Sequence, residues 1–213
     1  MRNANPADPL TRQPEEGFGN RGMSPMDPPE AYSPPGLDQV PVSEMHPLLQ
    51  RLCREHSALS EAMNVVEEAL VSIPGTGFSA QMEAALLGFC QVVESDFIPH
   101  SRHEEVILFP LLHERLILDG EHSNGRVATT AVDVMKDEHL TVIKLSAVIE
   151  NFLKIASHLP DEGSALIMRD SAVKHAGSLV ALLRLHIFRE DKIVFCSAHR
   201  LISAQEFDAM RSE

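Results

Sequence analysis

The sequence predicts an all-α chain, an up-down-up-down antiparallel four-helix bundle with a short C-terminal helix and a disordered N-terminal arm. Three observations predict it. Apolar residues recur at spacings of three and four in four long stretches, clusters of glycine, proline, serine and asparagine separate those stretches, and no alternating strand pattern persists beyond a few residues. The composition fits one such domain: 213 residues, 44% hydrophobic and 23% charged, can bury a core. A formal charge of -13 argues against nucleic acid or an anionic membrane as partners, because both require a basic face. No apolar run nears the roughly 18–20 residues that span a bilayer. With no basic-then-apolar leader and no CxxC among Cys53, Cys90 and Cys196, the expectation is a reduced, cytoplasmic protein.

Residues 1–42 carry Pro28-Pro29 and Pro34-Pro35-Gly36 and no periodic apolar pattern, so they are expected to be a disordered Pro-rich arm whose partner the sequence does not identify. The domain is expected over 43–213. Ser43 is the expected N-cap of a first helix reaching about Ser72, where Ile73-Pro74-Gly75-Thr76-Gly77 stops it. A second helix runs from near Ser79 to about Leu118, with a kink or break expected at Pro99 and Pro110. Asp119-Gly120 and Ser123-Asn124-Gly125 turn the chain into a third helix, about Arg126 to His158. The fourth covers roughly Ser164 to Ser197, and Ser203 with Glu206 forms a capping box for a short last helix.

Each long helix has one apolar stripe, and each stripe contains one histidine. They read Leu49, Leu52, His56, Leu59, Met63, Val66, Leu70; then Leu86, Cys90, Val93, Phe97, His100, Glu104, Ile107, Leu111; then Val132, Met135, His139, Val142, Ser146, Ile149, Leu153; and Leu179, Leu183, His186, Glu190, Ile193. His100 and His186 are each followed four residues later by a glutamate, one turn along on the same face. A carboxylate aimed into a core is costly unless it is paired or binds a metal. Four imidazoles and two carboxylates around two cations form a ligand set, and inward His and Glu side chains on facing helices are how bundles build such sites. The other histidines lie off this pattern. His46 and His199 are at helix ends, and His113, His122 and His158 are in turns or off the stripes. His175 is three turns from His186, and His103 flanks the His100–Glu104 face as a candidate outer donor.

The segments PHSRHEEVILFPLL (99–112) and LHIFREDKIVFCSAHRLIS (185–203) resemble the paired His-x-x-x-Glu segments of hemerythrin-like, HHE cation-binding domains. CREHSAL (53–59) and KDEHLTV (136–142) resemble that family's two Glu-His helices, so the similarity covers about 44–207. The resemblance implies a four-helix bundle around a non-haem di-iron centre, two iron ions with an oxo or hydroxo bridge. Carried over by motif, the metal ligands are His56, His100, Glu104, His139, His186 and Glu190, with the two glutamates bridging. Two departures from the oxygen-carrying hemerythrins stand out. The third helix has Met135 and Ile143, not a second histidine, four residues from His139. Asp191 stands at the His-x-x-x-x-Asp spacing beside Glu190, about 100° further round the helix, and Glu190 is preferred because it repeats the His100–Glu104 geometry. Nothing in 1–42 resembles the cysteine-bearing domain of the iron–sulfur repair relatives.

The implied function is a metal-ion binding protein that takes up dioxygen or a related small ligand, in oxygen, iron or oxidative-stress sensing or storage. The alternative is a di-iron enzyme acting on peroxide or nitric oxide; whether the chain is an enzyme is left open, with binding preferred. The only tyrosine, Tyr32, lies outside the domain, which argues against a stored tyrosyl radical.

Overall fold

The computed structural model describes residues 40–71 and 78–210, so the Pro-rich arm up to residue 39 and the expected turn at 73–77 lie outside the described residues. All regular structure among the described residues is helical. A single turn of 3₁₀ helix at Val42–Glu44 precedes helix α1, Pro47–Val71. Helix α2 spans 80–119, α3 is Ala131–His158, α4 spans 162–201 and α5 is Ala204–Met210. Helix α1 packs against α2 and α4, α2 packs also against α3, and α3 lies along α4 in the most extensive of these contacts. No described helix is long and apolar enough to cross a membrane.

The helix ends follow local chemistry. α1 starts four residues after the expected cap at Ser43. The ring Nδ1 of His46 accepts a hydrogen bond from Leu48 N at 3.2 Å, and Pro47, with φ already fixed and no N–H to satisfy, opens the helix. α2 starts where expected, and Ser79 caps it by accepting from Met82 N at 3.1 Å. Its C-terminus closes on Gly120 at φ 84°, the left-handed cap position that glycine fills without strain. α3 starts at Ala131, later than the expected 126, because Thr130 and Asp133 form the capping box there. α4 starts earlier than expected, capped by Asp161, whose carboxylate accepts from Ser164 N at 2.7 Å. At α5 the expected Ser203–Glu206 box is present, with Ser203 N donating to Glu206 at 2.9 Å.

The two prolines of α2 do not break it. Each follows a five-residue π-helical turn, Val93–Phe97 before Pro99 and Glu104–Leu108 before Pro110. A π turn inserts one residue into the ladder, which accommodates the missing proline N–H and its ring. α4 has a matching π turn at Glu190–Val194 with no proline after it. The inserted residue shifts the apolar stripe. The α-helical register puts Ile107 and Leu111 in the core, but beyond Glu104 the buried side chains are Leu108, Phe109, Leu112 and Leu116, while Ile107 and Leu111 are half-buried. Before the π turns the expected stripes of α1, α3 and α4 are buried as read, apart from a half-buried Leu70.

Candidate metal centre

The four stripe histidines and the two glutamates converge midway along α1–α4. All six side chains are almost fully buried, with Glu104, Glu190 and His186 at 0% exposure. The ring nitrogens and carboxylates face one another: His56 Nε2 is 3.1 Å from Glu190 Oε2, His186 Nε2 is 3.2 Å from the same oxygen, and His139 Nε2 is 3.4 Å from Glu104 Oε2. They fall into two groups able to hold a cation. His56, His100, Glu104 and Glu190 form one; His139, His186 and Glu190 form the other, with Glu190 common to both.

Every one of the four imidazoles is held at its other nitrogen by a carboxylate. His56 Nδ1 donates to Asp191 at 2.8 Å, His100 Nδ1 to Glu55 at 2.8 Å, His139 Nδ1 to Glu105 at 2.8 Å, and His186 Nδ1 to Glu138 at 3.0 Å. An ionised carboxylate only accepts, so a neutral ring so held carries its proton on Nδ1 and turns a bare Nε2 inward. The pairs interlock. Glu55 precedes His56 and holds His100; Glu138 precedes His139 and holds His186. Glu105 follows Glu104 and holds His139; Asp191 follows Glu190 and holds His56. Glu138 is itself gripped by Arg189. Asp191 therefore sits outside the cluster, on the far side of the His56 ring from Glu190.

Three phenylalanines close the apolar shell. Phe195 stacks on His56 at 5.6 Å between centroids, and Phe109 stacks on His139 at 5.8 Å. Phe97 meets His139 and His186 edge-on at 5.6 and 5.8 Å. Phe109 and Phe195 stand five residues after Glu104 and Glu190, each at the first position beyond a π turn, so the same inserted residue serves both rings.

Such a cluster is able to hold a cation. Both oxygens of Glu104 and of Glu190, and Nε2 of His139 and His186, are buried without a hydrogen-bond partner. His56 Nε2 and His100 Nε2 point at each other across 3.0 Å, a lone pair facing a lone pair unless a proton or metal ion intervenes. Without metal the histidines take up the charge. Burial by itself lowers the His56 pKa, but the hydrogen bond to Asp191 and the nearby Glu190 carboxylate outweigh it and push it to about 10. His139 also reaches about 10, where Glu104 and Glu190 outweigh burial, and His186 about 9, chiefly through the charge of Glu190 and the bond to Glu138. Burial, then the charge of Glu190, raises Glu104. Burial acts to raise Glu190 as well, but the positive charge of His186 and the closeness of the His139, His186 and His56 rings hold it well below the usual range. Nitrogen and carboxylate oxygen in these numbers suit a first-row transition ion better than a proton, so the donor set fits a metal.

The remaining residues singled out in the sequence lie elsewhere. His103 bonds to Arg51. His175 stacks on Phe152, His46 on Phe207, and His113 bonds to Thr130. Cys196 donates weakly to the Asp191 carbonyl, and the Cys53 thiol is pushed up to about 12, by burial first and Asp191 second. Spacing alone did not point to Glu55, Glu105 and Glu138 or to the stacked phenylalanines. The available signal was the acid next to each ligand position: Glu55 and Glu138 before a histidine, Glu105 and Asp191 after a glutamate.

The family described as the hemerythrin HHE cation binding domain matches residues 47–198 of the chain. No curated protein and no solved structure matches it.

Proposed function

The chain belongs to the hemerythrin HHE cation-binding domain family, and from that premise we propose that it is a non-haem di-iron protein. It takes up dioxygen or a related small ligand for sensing or storage in oxygen, iron or oxidative-stress responses. The ring of contacts among α1–α4 is then an up-down-up-down bundle over 43–213, with 1–42 as an appended arm, and a cytoplasmic location suits the three free thiols. The observation that carries the reading is the set of buried donor atoms without partners on Glu104, Glu190, His139 and His186. His56 and His100 would hold one ion and His139 and His186 the other, with Glu190, common to both groups, and Glu104, which also lies 3.4 Å from His139, shared between them.

Two iron ions bound there would supply a redox-active pair able to take up dioxygen, peroxide or nitric oxide. The chain's own work is to keep the pair dry and oriented. Phe97, Phe109 and Phe195 exclude bulk water, and the four outer carboxylates fix each ring with Nε2 inward. Protein from iron-replete cells should carry about two irons per chain and show ferric charge-transfer absorption that changes reversibly on deoxygenation and re-exposure. One zinc, or no metal, sinks the reading. The enzymatic alternative is favoured by one feature, a cavity of about 370 Å³ that reaches His100. It requires many turnovers of peroxide or nitric oxide that vanish in His100→Ala, and stoichiometric consumption counts against it.

A further inference from the structure

The two donor groups repeat one another in sequence but meet solvent differently. Glu55-His56 corresponds to Glu138-His139, and His100 with Glu104-Glu105 corresponds to His186 with Glu190-Asp191. The first group borders the cavity of about 370 Å³, which is lined by Arg51, Glu55, Ser95, Asp96, His100 and His103 among others. Glu55, the carboxylate that holds His100, has 41% of its side chain exposed and a loose 3.5 Å contact to Arg51. Its counterpart Glu138 is 10% exposed and fixed between His186 Nδ1 and the Arg189 guanidinium. Two carboxylates against one guanidinium leave the cavity mouth with an excess of negative charge, which draws a cation inward. Glu55, Asp96 and Ser95 offer oxygen atoms that can replace its water as it approaches His100.

We infer that the two ion positions are kinetically inequivalent. A divalent cation enters and leaves at the His56–His100–Glu104 position through the cavity between Arg51 and Asp96, while the His139–His186 position is held more tightly, because the Glu138–Arg189 pair pins His186. The inference rests on the two-ion reading above, and it assigns a specific role to two of the four outer carboxylates, Glu55 and Glu138. Glu55 is the hinge of an open door, because releasing it frees the His100 ring toward solvent. Glu138 cannot move without breaking its contact to Arg189.

The test is chelator extraction of the full chain loaded anaerobically with two equivalents of ferrous iron, followed by the colour of the chelate. Wild type should release its iron in two phases of equal amplitude. Ala58→Phe and Ser95→Phe fill the cavity from exposed positions that belong to neither donor group, so each should slow the fast phase and leave the slow one unchanged. Glu55→Gln should speed the fast phase roughly tenfold, the usual cost of losing an outer-shell partner, and Glu138→Gln should speed only the slow phase. Two ions lost in a single phase, or a fast phase indifferent to both phenylalanines, overturns the inference and leaves the two-ion reading standing. Uptake of fewer than two ions overturns both.

Discussion

His56 is held at both ring nitrogens by consecutive residues of α4: Glu190 lies 3.1 Å from Nε2 on the inside, and Asp191 accepts from Nδ1 at 2.8 Å on the outside. The two neighbouring acids thus have opposite tasks, one among the inward donors and one behind the ring. Glu190→Gln should lose both ions, because its carboxylate is common to both groups. Asp191→Asn should still bind two, about tenfold more weakly. Metal titration with stoichiometry by elemental analysis separates the cases, and equal loss in the two variants would contradict the assignment.

Removing the metal should expose the cost of the buried carboxylates. Glu104 is fully buried with neither oxygen hydrogen-bonded. Glu104→Met keeps the shape and drops the charge, so the metal-free variant should be more stable than metal-free wild type, by about 1–3 kcal/mol. It should also fail to gain stability from added iron. Denaturant melts of both proteins with and without metal give the comparison, and a less stable metal-free variant would refute it.

Metal uptake should compete with protons. His56 and His139 at about 10 and His186 at about 9 lie above the ordinary 6.5, so in the metal-free chain their contribution to stability is complete below pH 6.5 and fades as pH rises toward 9–10. A metal ion needs these rings neutral, so binding at pH 7 must release protons and affinity must climb with pH. Calorimetry in two buffers of different ionisation enthalpy measures the release. Affinity constant between pH 6 and 9 would contradict it.

The last helix should respond to acid separately from the centre. Glu206 is held down at about 2 by its bonds to Ser203 and by Arg115, so its contribution is present above the ordinary 4.5 and is lost as pH falls from there toward 2. Amide exchange in Ala204–Met210 should quicken in that window, and Glu206→Gln should abolish the pH dependence. Exchange that quickens equally in the variant would place the cause elsewhere.

Phe195 combines core packing with the stack on His56. Phe195→Ala should cost about 3–5 kcal/mol of stability, as expected for a truncated buried aromatic. Phe195→Leu should retain most of that stability and still bind two ions, whereas loss of metal in the leucine variant would show that the ring itself is required.

The four stripes with their histidines were legible because three-four periodicity reports one helix face directly, and His100–Glu104 and His186–Glu190 lie on that face. What the sequence concealed is the inserted residue. Helical spacing assumes a uniform ladder, so it placed Ile107 and Leu111 in the core where Leu108 and Leu112 are found, and it offered no reason for Phe109 and Phe195 to reach a histidine. The outer carboxylates were hidden for a different reason. Glu55 and Glu138 brace a histidine on a neighbouring helix, a relation between segments that spacing within one helix does not encode.

The π turn at Glu104–Leu108 makes this stretch of chain a ruler. Closing that turn into a regular α ladder with every residue kept would swing everything beyond it by about 100°, carrying Phe109 off His139 and Leu112 out of the core, whereas removing one residue along with the turn would leave them in register. A substitution at exposed Val106 changes none of this, because the count of residues is preserved. Between His100 and Phe109 the length of the chain and the type of its ladder are thus tied together, so that neither changes alone without moving Phe109, and the same holds between His186 and Phe195.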